Sequence, residues 1–103
     1  MAQWHPVLPL GELPQGMTDV EVAGEMVLLV REGDSVHACA GTCPHKFTLL
    51  SGGDVAAGRL TCPMHAATFD LSSGRPMPGM EWAGNLPVYP LRVNDDGVIE
   101  IQV

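Results

Sequence analysis

The chain has 103 residues, 46% of them hydrophobic, with twelve acidic and five basic side chains and a formal charge of −7. That length gives one domain over residues 1–103, with a modest core that an internal metal staple would help to hold and no room for a second catalytic domain. The charge disfavours nucleic acid or an anionic membrane surface and suits a partner with a basic docking face. The longest apolar run, Met26-Val27-Leu28-Leu29-Val30, is too short for a span or a leader, so a cytoplasmic protein with no membrane contact is expected.

Twelve glycines and nine prolines are spread so evenly that no helix longer than about two turns is secure. Short β-rich runs remain, at 4–8, 19–22, 26–31, 35–39, 59–61, 67–71, 88–93 and 98–103. Glu32-Gly33-Asp34 is expected to turn the third run into the fourth, and Asn94-Asp95-Asp96-Gly97 to join the last two. In the closing run Val98, Ile99, Ile101 and Val103 are expected in the core, with Glu100 and Gln102 on the wetter face. The pattern predicts an all-β fold, a small antiparallel sandwich or barrel.

Between the fourth and sixth of these runs lie two motifs that carry chemistry. Cys43-Pro44-His45 is followed, sixteen residues later, by Cys62-Pro63-Met64-His65. Each pairs one soft thiolate with one borderline imidazole on a turn stiffened by proline. Zinc also accepts two cysteines and two histidines, so ligand identity alone leaves the metal open. Zinc fingers usually place both cysteines before both histidines, whereas here each loop supplies one of each. That order suits a two-iron core better, with one iron taking Cys43 and Cys62 and the other His45 and His65.

The stretches TCPHKFTLLSGG (42–53) and LTCPMHAATFDLSSGRPMPG (60–79) resemble the Rieske ferredoxins of the bacterial type that serve multicomponent ring-hydroxylating dioxygenases, and the likeness extends over essentially the whole chain. The resemblance implies a Rieske-type antiparallel β-sandwich with a smaller cluster-binding subdomain at about 42–80. It also implies one [2Fe-2S] cluster per chain, with Cys43 and Cys62 on the inner iron and His45 and His65 on the outer iron through Nδ1. Thr68-Phe69-Asp70 and Gly74 match the family's run into a turn.

The departures are specific. Ala66 stands where a glycine commonly follows the second histidine, and Lys46-Phe47-Thr48-Leu49-Leu50 where the family often reads Arg-Gly-Ala-Pro-Leu. High-potential relatives carry serine and tyrosine hydroxyls at the positions of Ala67 and Phe69. Respiratory relatives brace the site with a disulfide; here Met64 fills one of those cysteine slots. Cys39 has no evident partner and reads as a small residue at a strand end. Phe47, Leu49 and Met64 could exclude water and offer an apolar docking patch, Lys46 adds one positive charge, and the proline-rich segment before Trp82 is expected to cover the site from a third side. His5, His37 and Trp4 read as residues of the larger sheet layer.

No dinucleotide fingerprint is present, and once the four ligands are spent no second metal motif remains. The resemblance therefore implies an electron carrier, not an enzyme. Electrons would pass from a flavoprotein NAD(P)H-dependent ferredoxin reductase to a terminal oxygenase, through transient complexes of a monomer. Two alternatives stay open at this point: a small Rieske subunit of an assimilatory NADH nitrite reductase, in which the ligands can be lacking, and a zinc-stabilised interaction module.

Overall fold

The computed structural model describes residues 3–44, 48–64 and 66–103. Among the described residues there are ten short strands: β1 (Trp4–Pro9), β2 (Gly16–Val22), β3 (Glu25–Glu32), β4 (Ser35–Ala40), β5 (Asp54–Ala56), β6 (Arg59–Thr61), β7 (Thr68–Asp70), β8 (Val88–Tyr89), β9 (Leu91–Val93) and β10 (Val98–Gln102). They form three antiparallel sheets, ordered β2-β3-β4-β8, β1-β10-β9 and β5-β6-β7. The described helical segments are single 3-10 turns at Leu10–Glu12, Leu50–Gly52 and Glu81–Ala83.

β3 organises the molecule. Val27, Leu28, Leu29 and Val30 are all fully buried, and because alternate residues face opposite ways they enter two different cores. Val27 and Leu29 pack with Ala38, Ile99 and Ile101, whereas Leu28 and Val30 pack with Cys39, Leu60 and Phe69. A strand covered on both faces reads as an unbroken apolar run, and that explains Met26 to Val30. The second of these cores also contains Cys43 and Cys62, so the candidate ligands are joined to the four-stranded sheet by packing.

Tight turns set the register. Ala23-Gly24 and Ala57-Gly58 connect β2 to β3 and β5 to β6 with positive φ at both positions, the geometry that suits the twist of a two-residue hairpin. Glu32 pairs with Ser35, leaving Gly33-Asp34 as the expected turn between β3 and β4. Before β10, the Asn94 side-chain oxygen accepts from the Asp96 and Val98 amides, and Gly97 turns the chain at a φ of 77°.

The structure corrects four details. The expected strand 88–93 is broken at Pro90: β8 pairs with β4, while β9 pairs with β10 in another sheet. Proline has no N–H for a ladder, and its carbonyl accepts from Gln102 as the chain crosses over. β2 begins three residues earlier than expected, at Gly16 opposite Arg31, and β5 was not anticipated because Asp54 and Ala56 are poor strand formers. Val98 shares a face with Glu100 and Gln102, so Ile99 and Ile101 alone are the fully buried residues of β10.

Candidate metal centre

The two cysteine motifs are built alike. Thr42 bridges to Leu49 at the neck of the first loop, and the Cys43 amide donates to the Thr48 carbonyl at 2.8 Å. The second loop opens directly after β6, and the Cys62 amide donates to the Ala67 carbonyl, also at 2.8 Å. Each loop is thus closed across the same interval of five residues. Each cysteine is followed by proline, which fixes φ just after the candidate ligand.

Cys43 and Cys62 are buried, at 0% and 1% exposure, in one cluster with Leu50, Leu60, Phe69 and Leu71. The structure therefore brings both sequence-predicted cysteines to one core. The candidate ligands His45 and His65 lie outside the described residues, as do Lys46 and Phe47.

Cys39 is a different kind of thiol. It sits on β4 opposite Leu28 and is fully buried, and loss of solvation pushes its pKa up from 9.0 to about 12. Burial disfavours the thiolate, so Cys39 stays protonated at neutral pH and acts as a small apolar residue, as its sequence position suggested. His5 and His37 fall on β1 and β4, outside the β5-β6-β7 sheet that carries the second loop.

The second loop turns through Ala66, whose φ of 57° lies in the left-handed region. This is the position at which the sequence resemblance implies a glycine, and the backbone conformation is one that glycine adopts without strain. Ala66 is held at both ends, since its amide donates to the Cys62 carbonyl at 3.1 Å and its carbonyl accepts from the Thr68 hydroxyl at 3.2 Å.

The proline-rich segment is ordered along the outer edge of β7. Phe69 bridges to Pro76, the Met77 amide donates to the Thr68 carbonyl at 2.8 Å, and the Thr68 amide points at the Met80 sulfur at 3.4 Å. Gly74 permits this path: a Cβ there would collide with the Leu86 carbonyl oxygen. Asp70 caps the intervening turn by accepting from the Ser72 amide and hydroxyl and the Ser73 amide, and these bonds, led by the Ser72 hydroxyl, lower its pKa. Leu49, Met64 and Trp82 are exposed at 53%, 64% and 53%. Sequence reasoning missed the contacts of Thr61, Thr68 and Met80; Thr61 meets Thr68 only through the β6–β7 register.

The donor chemistry fits an iron–sulfur cluster. Two thiols at the heads of matched, proline-stiffened loops are suitable soft ligands in a water-poor setting. Ala67 is fully buried, yet its amide donates to no acceptor among the described residues, leaving a backbone donor of the kind that cluster sulfurs accept.

Comparison with known proteins agrees with this geometry. The Rieske [2Fe-2S] domain family matches residues 3–90, and the chain belongs to that family. Membership implies one [2Fe-2S] cluster for the chain. The chain is 34% identical over 106 residues to the anthranilate 1,2-dioxygenase ferredoxin subunit of Burkholderia cepacia, covering all of this chain and 94% of that protein. Among solved structures, the ferredoxin of carbazole 1,9a-dioxygenase from Nocardioides aromaticivorans IC177 aligns with a TM-score of 0.83 at 30% identity, over 96% of each chain. A candidate NADH-dependent nitrite reductase small subunit from Mycobacterium tuberculosis aligns with a TM-score of 0.84 at 26% identity, over all of this chain and 96% of that one. Among the described residues no helix is long and apolar enough to cross a membrane.

Proposed function

We propose that this protein is a one-electron carrier, taking electrons from a flavoprotein NAD(P)H-dependent reductase and delivering them to a terminal ring-hydroxylating oxygenase in the cytoplasm. Cys43 and Cys62 hold one iron and His45 and His65 the other, within a cluster-binding subdomain of about 42–80. The observation that carries this reading is the pair of buried cysteines heading two identically closed loops. Full-length likeness to dioxygenase ferredoxins supports the choice of partner.

A bound [2Fe-2S] cluster supplies reversible one-electron chemistry, at a higher potential than an all-cysteine site because two imidazoles replace two thiolates. The chain contributes the rest. Buried Leu50, Leu60 and Phe69 keep water from the cysteines, and the closed loops limit how far the ligands can move when charge changes. Exposed Leu49, Met64 and Trp82 form apolar contact surface for transient docking, with acidic side chains steering the approach of a basic partner face. The carrier works as a monomer.

The likeness to a nitrite reductase small subunit favours a second reading, in which the same domain is a fixed subunit of a reductase. Retention of all four ligand residue types weighs toward the carrier. The test is anaerobic purification, with iron and sulfide assay and electron-spin spectroscopy after reduction, followed by rapid mixing with a reductase and an oxygenase. One cluster per chain, a rhombic reduced signal and catalytically competent transfer are expected. Zinc without iron would overturn the cluster assignment, and stable co-purification with a nitrite reductase large subunit would replace the carrier reading by the second.

A further inference from the structure

Thr61 and Thr68 face each other across β6 and β7, with their hydroxyl oxygens 3.1 Å apart. The Thr68 hydroxyl also lies 3.2 Å from the Ala66 carbonyl oxygen, which can only accept. A threonine hydroxyl has one proton. Thr68 spends its proton on Ala66, so in the bond between the two threonines Thr61 must be the donor. The result is a directed relay, from Thr61 to Thr68 to the Ala66 carbonyl.

Thr68 is itself immobilised. Its amide is directed at the Met80 sulfur and its carbonyl accepts from Met77, so the proline-rich segment holds the relay from one side and β6 from the other. The relay ends on the left-handed residue that directly follows His65, in a loop otherwise closed by backbone bonds at Cys62. Alanine resists that backbone conformation where glycine would accept it, which gives the relay something to oppose. The hydrogen bond also polarises the peptide joining Ala66 to Ala67, whose buried amide is the donor without an acceptor among the described residues.

We propose that Thr68, oriented by Thr61, is a positioning residue for the second ligand loop: its hydroxyl holds the Ala66 carbonyl and so fixes the peptide joining Ala66 to Ala67. This rests on the cluster reading of the preceding section and concerns a residue to which that reading gives no role. The hydroxyl acts on the metal site only through the backbone.

The test compares the cluster-loaded full chain with Thr68→Val, which removes the hydroxyl at nearly constant volume, and Thr68→Ser, which restores it. Two readouts are taken on each: the g-values of the reduced cluster and the rate of cluster release to a chelator well below the unfolding temperature. Thr68→Val is expected to shift the g-values and release the cluster about fivefold faster, the rate equivalent of one lost neutral hydrogen bond. Thr68→Ser should behave as the parent. Parental g-values and release in Thr68→Val would overturn the proposal, and so would a Thr68→Ser variant as impaired as the valine, which would assign the effect to methyl packing. Adding Thr61→Val to Thr68→Val should change little, because Thr61 acts through Thr68; additive effects would refute that coupling. If Thr68→Val does not fold, Thr61→Val takes its place: shifted g-values and faster release would support the relay, and parental values would overturn it. A parent chain that binds no cluster would defeat the functional reading itself, an outcome distinct from a loaded parent with indifferent variants.

Discussion

Replacing Ala66 with glycine should stabilise this protein, although glycine is ordinarily the more costly residue. Ala66 is exposed, so its methyl group forfeits little packing, and its φ of 57° is kept by bonds to Cys62 and from Thr68. The left-handed conformation costs an L-residue with a Cβ about 1–2 kcal/mol. Glycine removes that cost but adds about 0.5–1 kcal/mol of unfolded-state entropy, leaving a net gain of about 0.5–1 kcal/mol. With an unfolding entropy of about 0.2 kcal/mol per kelvin for a chain of this length, the midpoint should rise by about 2–5 °C. Scanning calorimetry of the cluster-loaded chain at one fixed scan rate measures it. Ala38→Gly is the control, because Ala38 is a buried residue paired with Leu29 and Tyr89 in β4, where the same change should lower the midpoint. A fall in the midpoint for Ala66→Gly would refute the argument from backbone strain.

Four further outcomes follow from the site and its surroundings. The reduction midpoint should lie near the bottom of the roughly −150 to +300 mV Rieske range, because Ala67 and Phe69 offer no hydroxyl; film voltammetry giving a value above about +100 mV would contradict this. Phe69→Tyr and Ala67→Ser should each raise it by about 40 mV for every kcal/mol by which the new bond strengthens on reduction. Between about pH 9 and 12 the folded chain keeps the Cys39 proton while the unfolded chain releases it, so Cys39 costs stability as pH rises, with a slope approaching about 1.4 kcal/mol per pH unit; Cys39→Ala should retain the cluster and flatten that part of the denaturation profile. Transfer to a reductase or oxygenase should slow as salt rises where encounter limits turnover, and a rate indifferent to ionic strength would leave the acidic residues with no steering role.

Much of the candidate site could be read without coordinates because a cluster needs particular atoms at particular intervals. The candidate ligands Cys43, His45, Cys62 and His65 stand out by residue type and by the proline after each cysteine. The strands were legible where side chains alternate over several residues or a turn carries its own chemistry, as at Gly33-Asp34 and Asn94 to Gly97. The segment at Asp54–Ala56 was not legible because Asp54 and Ala56 are poor strand formers, and the division at Pro90 depends on which sheet each half can reach.

The sequence by itself determined the candidate ligand types, the all-β class and the unusual alanine after His65, since these follow from residue types within a few neighbouring positions. Only the tertiary structure decided that β3 is covered on both faces, that Cys39 lies in the same core as Cys43 and Cys62, and that Thr61 meets Thr68 beside Ala66. Each of these is a contact between residues brought together by strand register and chain crossover, and neither is encoded in the local spacing of residues along one strand.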